Sequence, residues 1–128
     1  MNGKIVDTNI LIYLSKKQLD FYKVALPNDK LFMSVITYME VLGYRFKNSF
    51  EKDFVEKICG YIPVIGLDKS IVEKVISIRQ NHKIKLPDAI ILATSLVNNY
   101  SLITANVDDF LNIDRNLEII NPVNNSNH

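Results

Sequence analysis

The sequence predicts an α/β domain, three layers deep in the order α/β/α, around a central and mainly parallel sheet. Short β-branched runs alternate with longer amphipathic stretches, and the alternation persists along the chain. Acidic residues also stand directly after the extended runs, and parallel sheets bind their ligands beyond the carboxyl ends of their strands.

"GKIV" reads as a short buried strand that turns directly into the helix "NILIYLSKK". "KLFMS" is a second extended piece, followed by a helix from about Ser34 to Phe46. "NSFEKDFVEKICGY" carries Phe50, Phe54 and Ile58 at fourfold spacing behind Ser49 as a cap, which predicts a helix. "IPVIGL" is a strand by its β-branched content and its Pro and Gly borders. "DKSIVEKVISIRQNHK" sets Ile71, Val75 and Ile78 on one stripe, capped by Asp68 or Ser70. "LPDAIILATSLVNN" is a mostly apolar helix with Pro87 in its first turn. "SLITA" is a strand, "VDDFLN" a short helix and "LEII" a final strand. Residues 1–122 are expected to form one domain, and 123–128 a frayed polar tail.

A chain of 128 residues can bury a real core, and 48% hydrophobic with 23% charged residues excludes a disordered protein. Fifteen Lys and Arg face fourteen Asp and Glu, so any nucleic-acid contact must rest on local basic surface. Cys59 is alone, which rules out an internal disulfide and argues against a Cys-based metal site. No apolar run reaches membrane-spanning length and no signal-peptide pattern opens the chain, so a cytoplasmic protein without membrane contact is expected.

Four acidic positions carry the chemistry. Asp7 interrupts the hydrophobic run "KIVDTNILIYL" at the end of the first strand. Capping alone would explain an Asp there, but Thr8 or Asn9 can cap as well and would leave the carboxylate available. Glu40 lies on a largely apolar helix, where a carboxylate is costly without compensation. A capping box from Thr37 to Glu40 is the structural alternative, although Ser34 is the better cap. Asp88 stands in the first turn of an apolar helix, where the helix dipole by itself favours an acid. Asn106, Asp108 and Asp109 follow a strand, and Asn106 or Asp108 would also serve as a helix cap. Each position is ambiguous singly. Together they suggest one rim where crowded carboxylates raise each other's pKa unless a cation neutralises them. Oxygen ligands of this kind suit Mg²⁺ or Mn²⁺, which can activate water against a phosphodiester.

The order "IVDTNILIYL", "SVITYMEVLGY", "LPDAIILATSL" and "LITANVDDF" resembles the PIN-domain ribonucleases, specifically the VapC toxins of bacterial toxin–antitoxin pairs, from Ile5 to about Pro122. The resemblance implies a Mg²⁺-dependent endoribonuclease (with Mn²⁺ as a substitute), a parallel sheet, a homodimer and an antitoxin that occludes the site. It places Asp7, Glu40, Asp88 and Asp109 as the catalytic acids, with Asp7 and Asp88 on the metal. Relatives often carry Asp where this chain has Asn106, which removes one charge and leaves a second metal open; Asp109, or second to it Asp108, would substitute. Thr8 and Asn9 hold the first turn and by resemblance contact the metal's waters, while the Thr104 hydroxyl orients the fourth position.

Arg45 and Lys47 follow Glu40, and Arg79, Lys83 and Lys85 precede Asp88. They form either a solvated charged face or contacts to RNA phosphates. His82 reads as a solvated helix-end residue, and His128 lies in the tail, which leaves metal-free His chemistry without a base. Phe46, Phe50 and Phe54 belong either to the core or to a groove for an antitoxin helix. A receiver domain would need a phosphoacceptor Asp after a middle strand and a Lys after a late one, which "IPVIGLDK" and "LITAN" do not supply. A haloacid-dehalogenase phosphatase would need Asp at position 9, where Asn9 stands. The remaining alternative is a PIN-like module that binds RNA or a protein partner and has weak or lost cleavage.

Overall fold

The structure is a computed structural model and describes residues 3–123. Five parallel strands form the sheet in the order β3-β2-β1-β4-β5. They are β1 (Gly3–Val6), β2 (Lys30–Ser34), β3 (Val64–Ile65), β4 (Ser101–Ile103) and β5 (Ile119–Ile120). The helices are α1 (Thr8–Ser15), α2 (Phe21–Val24), α3 (Val35–Leu42), α4 (Ser49–Tyr61), α5 (Lys69–Asn81), α6 (Leu86–Asn98) and α7 (Val107–Leu111). Residues 124–128 of the expected tail lie outside the described residues.

Strand alternation divides the core between the two sheet faces. Ile5 and Leu102 are register partners and share one buried cluster with Ile71, Val75 and Ile78 of α5 and Ala89–Ala93 of α6. Val6 and Ile103 are the next partners and point the other way, into a cluster with Leu11, Met33, Val41, Val55 and Cys59. Every residue of α6 from Ala89 to Ser95 is buried, because α6 lies between the sheet and α5. This explains its lack of a polar face. Among the described residues no helix is long and apolar enough to cross a membrane.

Four local expectations are corrected. Asn48, not Ser49, caps α4, its Oδ1 accepting the Glu51 N–H at 2.9 Å. The third helix stops at Leu42, with Gly43 as its C-cap, short of Phe46. The run "IPVIGL" keeps only two residues in the sheet, because β3 is an edge strand paired to β2 alone. Helix α2 was not foreseen; it is a single turn started by Asp20, whose side chain accepts the Tyr22 N–H at 3.0 Å.

Candidate active site

Strand order reverses between β1 and β4, and the crevice beyond their carboxyl ends is where an open parallel sheet presents its ligand-binding groups. Asp7 follows β1 there. Its backbone N–H donates to the Ile103 carbonyl at 2.9 Å, continuing the β1–β4 pairing by one residue. Asp7 rather than Thr8 or Asn9 is the cap of α1: Oδ1 accepts the Thr8 N–H at 2.7 Å. Its other oxygen, Oδ2, accepts the Thr104 hydroxyl at 2.6 Å. Capping therefore occupies one carboxylate oxygen, and the second is tied to the end of β4.

Thr104 also receives the Asn106 N–H on its Oγ1 at 3.0 Å, so one hydroxyl links Asp7 to the backbone of the fourth acidic segment. Asn106 occupies the N-cap position of α7, but its side chain makes no capping bond, and the exposed Asp108 makes none either. The capping explanation for these two fails.

Glu40 is half-buried on α3 and its Oε1 accepts the Thr8 hydroxyl at 2.6 Å. Thr8 Oγ1 also lies 3.1 Å from Thr37 Oγ1; with its single proton on Glu40, Thr37 donates in that pair. Ser34 caps α3 through the Ile36 N–H at 3.1 Å, so no capping box forms between Thr37 and Glu40. Thr37, fully buried, enters from sequence only as a possible cap; its place one turn before Glu40 instead sets it beside the Thr8 hydroxyl.

Asp88 is half-buried in the first turn of α6, whose cap position, Lys85, offers no side-chain capping bond. Burial pushes its pKa up, and the charges of Glu40 and Asp109 push the same way against an opposing Lys85. Burial likewise raises Asp7; the bonds from Thr104 and Thr8 oppose it, and Asp88 and Glu40 add to it. Asp88 thus lies within electrostatic reach of Asp7, Glu40 and Asp109, and Asp7 within reach of Glu40, at the switch point. Asn9 is exposed on α1.

A cleft of about 890 Å³ opens beside these acids. Asp88, Asn106 and Asp109 line it together with Arg79, Lys83 and Lys85. His82, the C-cap of α5, stands at the same cleft. Arg45 and Lys47 are exposed between α3 and α4 and do not line it, which separates the two sets of basic residues that sequence alone left equivalent.

The donor set suits a hard divalent cation. The ion pairs among the described residues join Lys4 to Asp29, Lys16 to Glu51 and Lys69 to Glu73, so no Lys or Arg is paired with Asp7, Glu40, Asp88 or Asp109. Among those residues no three acidic, His or Cys side chains close into a ready ligand cage. Such an open, oxygen-only arrangement fits Mg²⁺, which keeps several waters and binds through one or two carboxylates plus substrate phosphate.

An open parallel sheet with acids gathered at its switch point defines a class of α/β proteins whose chemistry sits on the strand ends. The PIN domain family matches residues 4–116, and the chain belongs to that family. Among solved structures it is similar to a chain of the toxin–antitoxin complex from Klebsiella pneumoniae, with 32% identity over 94% of this chain and 98% of that one and a TM-score of 0.71. It is also similar to a chain of VapBC-1 from nontypeable Haemophilus influenzae, at 27% identity, with 94% and 98% of the two chains covered and a TM-score of 0.73. VapBC2 from Rickettsia felis, bound to a promoter DNA fragment, shares the fold at 20% identity, 91% and 96% coverage and a TM-score of 0.75. No match is found among curated proteins.

Proposed function

We propose that this chain is the toxin of a toxin–antitoxin pair, a VapC-type endoribonuclease that hydrolyses RNA phosphodiester bonds with Mg²⁺ or Mn²⁺. One observation carries the reading: Asp7, Glu40 and Asp109, from three separate segments, each lie within electrostatic reach of Asp88, and among the described residues no basic side chain is ion-paired to any of the four. Leaving such charges uncompensated costs stability, and a bound cation offsets that cost. Membership of the PIN family and similarity to toxin–antitoxin complexes support the same reading.

Asp7 and Asp88 are the residues that would hold the ion. When bound, it supplies positive charge that polarises the phosphodiester and activates the attacking water. Asp7 is fixed for this by donors on both of its oxygens. Glu40 gives one oxygen to Thr8, its other oxygen has no hydrogen bond among the described residues, and its charge reaches Asp88, so it can orient a water there. Asp109 supplies the fourth negative group where Asn106 does not. Thr104 acts through Asp7 as a positioning residue.

The partner is a cognate antitoxin, and the protein works as a cytoplasmic homodimer. Met39 and Leu42 of α3, Tyr44 and Phe50 are exposed apolar groups, a surface that fits an amphipathic helix. Phe46 and Phe54 pack against the core cluster and are not free for that role. An antitoxin Arg reaching the acids from this helix would block metal and substrate together, because its planar fork pairs bidentately with carboxylate.

Asn106 favours one alternative, a PIN module that binds RNA or protein without cutting. Incubation of single-stranded RNA with the purified chain separates the two. Cleavage in Mg²⁺ or Mn²⁺ that stops with chelator and in Asp7→Asn supports the nuclease; intact RNA under all conditions supports the binding module.

A further inference from the structure

We propose that Arg79, Lys83 and Lys85 form a phosphate track that leads a single RNA strand to the carboxylates from the α5–α6 side. The proposal rests on the nuclease reading and specifies how that site takes its substrate. The cleft is lined by Arg79, Lys83 and Lys85, from the last turn of α5 and the loop that follows, and by Asp88, Asn106 and Asp109. Opposite charges share one cleft, yet none of the three cations forms an ion pair with the acids beside it. Cations kept apart from nearby acids remain available for an external anion.

Arg79 is the best prepared of the three. Its Nε–H donates to the Ile84 carbonyl at 3.3 Å, which ties the end of α5 to the far side of the loop and limits rotation of the guanidinium. That bond uses one of five N–H donors, and no other hydrogen bond of Arg79 occurs among the described residues. A planar group with fixed orientation and unspent donors suits a phosphate. Asn112 adds an amide to the same cleft.

An RNA strand fits better than an acidic protein segment. A phosphate at the acidic end can complete the coordination of a cation held there, while its neighbours along the strand meet Lys83, Lys85 and Arg79. Side-chain carboxylates could also reach such a cation, but a protein segment lacks the evenly spaced backbone charges of a nucleic-acid strand that would meet the three cations in turn. The cleft volume of about 890 Å³ lies within the ligand-site range and suits a short stretch of one strand rather than a duplex.

The test is binding of a fluorescent single-stranded RNA oligomer to Asp7→Asn protein with divalent ions chelated, so that turnover plays no part. Adding Lys83→Ala and Lys85→Ala should weaken binding about tenfold or more at low salt. It should also lower the slope of log affinity against log salt by about 0.7 for each charge removed. Lys52→Ala with Lys57→Ala removes equal charge from exposed positions of α4 and should leave affinity within about twofold. Arg79→Lys keeps the charge and should retain the salt slope while losing affinity. Equal losses from both lysine pairs, or no loss from Lys83 and Lys85, would overturn the track. Displacement of RNA by polyglutamate of matched charge at equal concentration would overturn the RNA assignment. Because cleavage is not read, a failed track and a failed nuclease reading give different results.

Discussion

Thr104 donates its hydroxyl to Oδ2 of Asp7 at 2.6 Å, joining the ends of two adjacent strands through residues 97 positions apart in sequence. Both groups are buried, so the bond has no water to replace it. Thr104→Val should destabilise the protein by about 1–3 kcal/mol, the usual cost of an unsatisfied buried polar group. Denaturant unfolding reads that loss, and Thr104→Ser should recover most of it. RNA cleavage should fall with Thr104→Val and return with Thr104→Ser, because the hydroxyl, not the methyl, holds the carboxylate.

Asp88→Asn should stabilise the metal-free protein near neutral pH. Asp88 makes no hydrogen bond that the change would break among the described residues, and its pKa is raised by burial and by Glu40 and Asp109. A raised carboxylate pKa means the folded state holds its proton more tightly than the unfolded one. The destabilisation is therefore absent below the unfolded pKa of about 3.9 and complete above the raised folded value. Melting temperature of the variant should exceed that of the wild type at pH 7, and the gap should close as pH falls towards 4. A gap that widens on acidification would contradict this origin.

Gly3→Ala should cost about 1–3 kcal/mol by overpacking. A Cβ there would lie 2.7 Å from Phe32 Cε2 and 2.9 Å from the Tyr100 ring. Those rings stack with centroids 5.0 Å apart, so neither can retreat without losing the other. Thermal unfolding checks the magnitude.

Much of this site was legible because its residues sit at boundaries that sequence marks well. Asp7 and the 106–109 segment follow β-branched runs, and Asp88 follows Pro87 at the head of an apolar helix. The bond from Thr8 to Glu40 was hidden, since it joins α1 to α3 and depends on how the two helices pack. The α4 stripe misled by phase. Val55 and Cys59 are its buried line, Phe54 and Ile58 its flank, and Phe50 at the open end is 84% exposed. Helix α2, one turn long, has too few residues to display a period.

Phe50→Glu and Met39→Glu should each weaken capture of the antitoxin in co-expression by tenfold or more without unfolding the toxin. Both side chains are exposed, at 84% and 56%, so a charge there costs the free fold little. Circular dichroism confirms folding, and unchanged capture by both folded variants would move the antitoxin to another face.

The most direct measurement is titration of the chain with Mn²⁺ followed by electron paramagnetic resonance, in wild type, Asp7→Asn and Asp88→Asn. Carboxylates gathered to hold a divalent cation should bind Mn²⁺ in the wild type, with affinity falling at least tenfold in each variant and Mg²⁺ competing for the same site. Equal Mn²⁺ binding by all three proteins, or none by the folded wild type, would contradict a metal role for Asp7 and Asp88.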